Sequence, residues 1–386
     1  MALEDQRELL DFLPGFAATR SDLNQNQGLT IDGWLNAGVA YNPDDPNDNF
    51  NGPVGFSDRA NEFQLNQLYL YVERDPENKL EQWGLGGRLD FIFGSDAFYT
   101  RSMGDLSDHW DSHILHQRIY GIAFPQAYLD IFAPIGHGLH IQIGEFYTVV
   151  GNETVTAPDN FFYSRSYTMQ FAEPFSHTGL LLRYQLSDHI DLTAGAVTGS
   201  PFAGWDGSFQ HHLDNWGFVG GVNLSLPQTD TSIAMTGTHG SLTDSEEADV
   251  NLYSIVIKQD LAENWHLTLQ HDYGWLDRTS ASHKAEWYSV LGNLNYDIRD
   301  DLGLGIRLEW FRDDDGERVG FPARQPVEFG HAAHYYAATF GANWKPKAWI
   351  TVRPSIRYDI SDGWKAFDSG TSKRQLLLST DFILNF

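Results

Sequence analysis

The chain has 386 residues, carries a formal net charge of −27 and contains no cysteine. This charge argues against nucleic acid as a partner, because nucleic-acid binding needs a basic surface, and the missing cysteines exclude disulfides and cysteine-bound metals. Hydrophobic residues make up 41% of the chain, yet no stretch approaches the roughly 20 apolar residues of a membrane helix, which excludes a helical membrane protein.

The first segment of the chain, residues 1–28, shows no alternating pattern. Its start lacks the basic and apolar regions of a secretory signal peptide, and the rest of the sequence favours an exported, mature chain with an added Met. Leu9, Leu10, Phe12 and Leu13 could form one helical turn. We expect an extension that precedes the main fold, and a plug or partner-docking helix is the alternative.

From residue 29 to the end, apolar and polar residues alternate with the period of two that is typical of β-strands. Every second residue from Leu302 to Trp310 is apolar, for example, while Arg307 and Glu309 lie on the opposite face. About sixteen such segments are predicted: 29–43, 63–75, 84–95, 124–134, 138–150, 176–188, 189–200, 214–228, 229–240, 249–260, 265–275, 286–298, 302–310, 333–345, 350–359 and 374–386.

The connections between these segments alternate between long and short. The long ones are 44–62, 96–123, 151–175, 200–213, 239–248, 277–285, 313–332 and 361–373. Such segregation is typical of an up-and-down outer-membrane barrel and not of a soluble sandwich or propeller. We therefore predict an all-β fold, a transmembrane antiparallel β-barrel over 29–386, with short periplasmic turns, long extracellular loops and residues 1–28 in the periplasm.

Aromatic residues lie where lipid interfaces would place them. Trp265, Trp344 and Trp349 flank short turns, whereas Tyr273 and Trp310 lie toward the long loops. Because barrels carry aromatic girdles at both interfaces, this distribution predicts a protein of the bacterial outer membrane that contacts lipid.

Two further patterns resemble known proteins. The last strand, which ends on Phe386, looks like the C-terminal signal that outer-membrane barrels present to the barrel-assembly machinery. Residues 144–179 resemble the type 2 β-barrel porin family of Gram-negative outer membranes, in the runs Gly144–Thr148, Gly151–Glu153, Ala157–Ser166, Glu173–Phe175 and His177–Gly179. The resemblance implies an outer-membrane channel, and the topology is similar to that of the general porins.

Charged residues on the polar face are expected to line the lumen, because Arg or Lys on the lipid face costs ~2–4 kcal/mol at the midplane. Simple pairing across strands is the alternative for each of them. The predicted pore-lining residues are Arg88, Asp90, Asp130, Arg183, Lys258, Arg307, Glu309, Arg353, Arg357 and Asp359.

The loop 151–175 is the candidate pore-constricting loop. It follows the third hairpin, the position from which general porins, which this chain resembles in topology, fold a loop into the lumen. A surface loop is the alternative. Charges at a constriction set ion selectivity, and the candidates are Glu153, Asp159, Asn160, Arg165 and Glu173.

The functional interpretation is a porin for passive diffusion of small polar solutes and ions, with no cofactor. One alternative is a structural or adhesion barrel whose acidic loops, such as 44–48 and 313–317, bind a partner or divalent cations. An outer-membrane enzyme is another, although triplets such as Ser107-Asp108-His109 arise by chance in polar loops. The histidines His109, His113, His116, His211 and His212 could bind metal, but a polar loop is the simpler interpretation.

Selectivity should be weak and lean toward cations at low salt, because acidic loops concentrate them. Neutralising Glu153 and Asp159 should shift the reversal potential toward anions, and Arg353→Ala or Arg357→Ala should shift it toward cations.

A homotrimer is predicted, because general porins of this size are commonly trimers and Ala194, Ala196 and Gly220 offer a small-residue face for close contact. Native mass measurement in mild detergent checks this prediction, and one chain per particle would contradict it.

Overall fold

The computed structural model describes residues 28–77, 79–101, 119–198, 216–241, 248–278, 284–320, 324 and 330–386. These residues form one closed antiparallel β-barrel of sixteen strands, two of them interrupted, which confirms the predicted architecture. The strand segments are β1 (Thr30–Tyr41), β2 (Phe63–Arg74), β3 (Gly84–Gly94), β4 (Gly121–Ala123), β5 (Ala127–Ala133), β6 (Leu139–Tyr147), β7 (Ser176–Ser187), β8 (Ile190–Thr198), β9 (Trp216–Leu226), β10 (Thr231–Ser241), β11 (Ala248–Ala262), β12 (Trp265–Arg278), β13 (Ala285–Arg299), β14 (Leu302–Asp313), β15 (Ala333–Lys347), β16 (Ile350–Val352), β17 (Ser355–Asp362) and β18 (Arg374–Asn385).

Helical structure in the described residues is confined to short turns. These are α1 (Ala97–Thr100), 3₁₀ turns at Ala157–Asp159 and Pro227–Thr229, and a π-helical turn at Thr168–Ala172. No helix in the described ranges combines the length and the apolar character needed to span a membrane.

The barrel closes between its first and last strands. β1 pairs with β18 from Trp34–Asn385 to Tyr41–Leu378, and the backbones of Gly33 and Phe386 exchange two hydrogen bonds of 3.2 and 3.0 Å. β16 and β17 are two parts of one barrel strand, interrupted at Pro354, whose nitrogen cannot donate to the ladder. β4 and β5 likewise form one strand. The start of β1 and the end of β18 therefore lie side by side at the rim of the short turns.

The two faces of each strand follow the alternation of the sequence. In β14, Leu308 is 54% exposed on the outside, whereas Arg307 and Glu309 are buried inside. Outward aromatic rings from β12 to β15 contact one another in series at the long-loop end, among them Tyr273, Tyr288 and Trp310. An apolar outer band with an aromatic girdle is the surface that a bilayer requires.

Long loops fold into the barrel and fill much of its long-loop half. One buried apolar cluster joins loop residues to inward-facing strand residues; it includes Val54, Phe171, Val319 and Phe367 from four loops, and Trp287, Phe311 and Tyr335 from the wall. The protein thus has a packed core inside the barrel in addition to its lipid-facing surface.

The lipid-facing assignment predicts the effect of an inserted charge. Leu308→Arg, near the middle of β14, should lower the free energy of unfolding in vesicles by ~2–4 kcal/mol, because a charge at the bilayer midplane is poorly solvated. Thr236→Arg on the inner face of β10 is the matched control and should cost much less. Equal losses in denaturant titrations of both variants would contradict the assignment of faces.

Candidate pore constriction

The segment between β6 and β7, residues 148–175, crosses the inside of the barrel and is called the lumen loop below. Its two ends are tied together by a 3.0 Å hydrogen bond from Thr148 N to Phe175 O. Gly151 has φ +84°, and a Cβ there would clash with the Glu173 carboxylate, so glycine is needed at this close approach. The loop therefore leaves and re-enters the wall at one point and projects into the lumen.

Three arginines of the barrel wall hold the lumen loop. Arg353 donates to Ala157 O and Asn160 O at 2.7 Å each, and its Nε donates to Asp381 at 3.0 Å. Arg357 donates to Arg165 O at 2.5 Å and to Asp359, and Arg307 pairs with Glu153 and donates to Ser164 O at 2.9 Å. The three wall arginines are at most 1% exposed. Each one pairs with a carboxylate and donates to at least one loop carbonyl, so its buried charge is compensated.

A carboxylate of the same wall binds the π-helical turn of the loop. Glu309 accepts from Tyr167 N at 2.9 Å and from Thr168 N and Oγ1 at 2.6 and 2.7 Å. These amides begin the turn and have no partner within it, so the carboxylate acts as their cap. The Tyr167 hydroxyl donates to Asp359 at 2.9 Å, which connects the turn to the arginine pairs.

The other side of the loop is held by β2. Gln67 donates to Val155 O at 2.8 Å and accepts from Ala157 N at 3.1 Å, and the Tyr163 hydroxyl donates to Asn66 at 2.9 Å. The loop is thus anchored to β2 as well as to β14 and to the interrupted strand that β16 and β17 form.

A buried carboxyl pair anchors the C-terminal end of the loop. Gln270 donates to both Glu173 and Asp272, and Ser254 donates to Asp272 at 2.6 Å. These four side chains are at most 3% exposed. Burial, together with the charge of Asp272 and a hydrogen bond to it, raises the pKa of Glu173 well above its usual range. Glu173 therefore holds a proton where a second buried charge would be costly.

Small residues of β14 make room for the loop. A Cβ on Gly305 would lie 2.5 Å from a ring carbon of Phe161, and one on Gly303 would lie 3.2 Å from the same ring. The two inward glycines are visible in the sequence, but nothing local shows which aromatic side chain fills the space beside them.

The structure divides the predicted pore-lining residues into two groups. The lumen loop covers one group, which consists of Arg307, Glu309, Arg353, Arg357 and Asp359. The second group lies on the wall from β3 to β11 and consists of Arg88, Asp90, Asp130, Arg183 and Lys258. Arg88 donates to Asp90 at 2.7 Å, and Arg183, which is 46% exposed in its side chain, lies 3.4 Å from Asp130.

The predicted constriction residues also differ in their surroundings. Glu153 pairs with Arg307, Arg165 donates to loop carbonyls such as Thr154 O at 2.8 Å, and Asn160 donates to Thr156 O at 2.6 Å. Asp159 is exposed and accepts from Thr156. Of these four residues Asp159 is the exposed one, and the other three make contacts within the loop or with the wall.

Several anchoring residues are absent from the predicted site: Asn66, Gln67, Gln270, Asp272, Trp287 and Asp381. Gln270, Asp272, Trp287 and Asp381 lie on the inward face that alternation predicts, whereas the adjacent Asn66 and Gln67 both face inward because the β1–β2 ladder carries a bulge there. Only their contacts with the distant loop, such as the 3.3 Å hydrogen bond from Trp287 Nε1 to Ala172 O, show their role.

The candidate metal ligands give no centre in the described part of the chain. No group of three or more His, Asp or Glu side chains there could hold a metal ion. His109, His113, His116, His211 and His212 lie outside the described residues, as does the triplet Ser107–His109.

The sequence profile of the family described as Putative beta-barrel porin-2, OmpL-like matches residues 28–386. The chain belongs to this family. The match confirms the resemblance seen in 144–179, and the protein is one of the bacterial outer membrane. A search of curated proteins gives no match.

Several solved structures share the fold at low sequence identity. OprB of Pseudomonas putida is 14% identical with a TM-score of 0.62, over 96% of this chain and 97% of that one. An anion-selective porin from Comamonas acidovorans is 8% identical (TM-score 0.59; 93% and 99% covered). The outer membrane channel DcaP of Acinetobacter baumannii is 10% identical (TM-score 0.58; 93% and 97% covered).

The proton on Glu173 predicts a pH-dependent anchor. The stability that protonated Glu173 gives to the loop anchor is complete below the ordinary carboxyl pKa of about 4.3. It is lost as the pH rises through the raised pKa of Glu173. The chain has no cysteine, so a single introduced cysteine can be labelled with a maleimide. Met169→Cys lies at a loop position that is 3% exposed, and its labelling rate is divided by that of the exposed Ser369→Cys to report loosening of the loop. The ratio should rise with pH, and adding Glu173→Gln should make it constant. A ratio that rises equally with Gln at 173 would contradict the anchor.

Proposed function

We propose that this protein is a porin whose solutes pass between the lumen loop and the wall from β5 to β11. The asymmetric seating of the loop carries the proposal. Buried hydrogen bonds and ion pairs hold it against β14 and the interrupted strand β16–β17, whereas Arg183 on the other wall stays 46% exposed beside a cavity of about 700 Å³. A passage limited by a folded loop suits small polar solutes and ions.

Exposed charges of both signs line this passage. Asp159 is exposed on the loop, and Arg183 and Lys258 lie on the wall. Opposed charged walls favour weak selectivity over strong selection of one sign. The acidic loop surface, screened beyond ~8–10 Å at physiological salt, adds a cation preference at low ionic strength.

Liposome swelling with sugars and amino acids of graded size tests the proposal. Small solutes should permeate, and rates should fall steeply with solute size. Absence of swelling with every solute would reject the porin and favour the structural or adhesion barrel. Residues 107–109, on which the enzyme alternative depended, lie outside the described part of the chain.

We also propose a trimer. Ala194 and Gly220 are directly paired across β8 and β9, as the small-residue face requires. One solved form of OmpT of Vibrio cholerae, 11% identical with a TM-score of 0.54, is described as a trimer.

Arg353→Ala and Arg357→Ala should increase single-channel conductance, because the loop loses its anchors and the carboxylates Asp381 and Asp359 lose their partners. This revises the selectivity shift expected for these two substitutions from sequence. Removing one partner of a buried pair costs ~3–5 kcal/mol, so open-channel current noise should rise as well. Arg299→Ala, in an exposed pair with Asp301, is the control. Unchanged conductance in all three variants would show that the loop does not limit the passage.

Neutralising the exposed loop charge should change selectivity without releasing the loop. Asp159→Asn should shift the reversal potential in a salt gradient toward anions, and Lys258→Gln should shift it toward cations, both at nearly constant conductance. If neither substitution moves the reversal potential, the passage does not run between these residues.

A further inference from the structure

A cavity of about 700 Å³ opens at the short-turn end of the barrel, on the inner wall of β5 to β9. Its volume is that of typical small-molecule sites. It lies apart from the contacts that hold the lumen loop. Its lining includes Asp130, His140, Arg183, Gln185, Asp191 and Asn223.

Basic side chains share one rung of the barrel wall in this cavity. His140 of β6 is the register partner of Arg183 of β7, and Arg183 is the partner of Thr193 of β8. Directly opposed residues in antiparallel strands lie about 4.5–5.5 Å apart at Cα. The two nitrogen-bearing side chains are therefore close neighbours on one inner surface.

One buried carboxylate orients both of them. Asp130, which is 7% exposed, lies 3.2 Å from His140 Nδ1 and 3.4 Å from Arg183 Nη2. Arg183 is nevertheless 46% exposed in its side chain, and within the described residues its guanidinium contacts a carboxylate through Nη2 alone. A guanidinium fixed at one end and open at the other suits a second, bidentate carboxylate ligand.

A second rung, closer to the turns, carries neutral hydrogen-bonding groups and one carboxylate. Gln185 pairs with Asp191, and Asp191 pairs with Asn223. This rung lies two residues from the basic one, which is about 7 Å along a strand. Amides both donate and accept, and a carboxylate accepts, so the rung matches hydroxyl groups.

We propose that this cavity binds hydroxylated carboxylic acids of sugar-acid size. The ligand carboxylate lies on Arg183 and His140, and the hydroxyls of its chain reach Gln185, Asp191 and Asn223. An α-amino acid is too short to place its ammonium group on Asp191 while its carboxylate stays on Arg183. A dicarboxylate would place its second charge against Asp191, which repels it. The inference deepens the proposed function, on which it rests, by naming a solute class.

Isothermal titration of the full chain in detergent, at constant ionic strength, tests the site with gluconate, acetate, glucose and inorganic phosphate. Gluconate should bind most tightly. Arg183→Gln should weaken gluconate binding about tenfold or more, because the carboxylate loses its charge-assisted hydrogen bonds to the guanidinium. Asn223→Leu should weaken gluconate but leave acetate unchanged. Arg299→Gln removes an exposed charge elsewhere on the short-turn rim and should have no effect.

Three results would overturn the inference: no gluconate binding, equal affinity in Arg183→Gln and Arg299→Gln, or phosphate binding as tightly as gluconate. Tighter binding of 6-aminohexanoate than of gluconate would also overturn it, since Asp191 would then select an ammonium group. Swelling of liposomes in neutral sugars is measured on the same preparations. Permeability without gluconate binding rejects this site and leaves the porin, whereas binding without permeability rejects the porin and leaves the site.

Discussion

The interior of this barrel depends on arginines that are buried with their charges compensated. A guanidinium taken out of water is costly unless its donors and its charge are all matched. Arg353 meets this condition with Asp381 of the neighbouring β18 and with two carbonyls of the lumen loop. Without the arginine, Asn160 O would lose this donor and Ala157 O would keep only the 3.4 Å hydrogen bond from Asn160 N. The wall arginine and the loop carbonyls therefore compensate each other's loss of hydration, and neither is stable in this form alone.

This mutual dependence explains why the lumen is asymmetric. Side chains that a water-filled pore would leave hydrated are dry on the wall under the loop, while Arg183 across the barrel keeps nearly half its side chain exposed. The outer loops extend the dry region: Arg324 pairs with Asp58 and donates to Ser95 O, which joins three loops above the lumen. The buried contacts thus occupy one side of the sixteen-strand barrel, and the proposed passage lies on the other.

Strand positions and their two faces could be predicted from the sequence, because lipid outside and polar groups inside impose a period of two on every strand. The inward orientation of Arg307 and Arg357 follows from the same rule. Their burial does not, since it depends on a loop about 150 to 190 residues away in the chain. Gly303 and Gly305 carried a local sign of close packing, but their partner Phe161 could be identified only from the folded chain. No pattern in the sequence indicated the interaction between the Gln67 amide and the lumen loop.

The anchors of the lumen loop come from opposite ends of the polypeptide, and this has a consequence for biogenesis. Asn36 of the first strand donates to Asp381 of the last at 2.6 Å, across 345 positions, and Asp381 is the carboxylate that holds Arg353 in place. The lumen loop cannot reach its native position until β18 has paired with β1 and closed the barrel. Contacts of such long sequence separation form late and slowly. In an incompletely inserted chain the lumen loop would therefore not be in its native position. A loop in its native position indicates that β1 and β18 have paired.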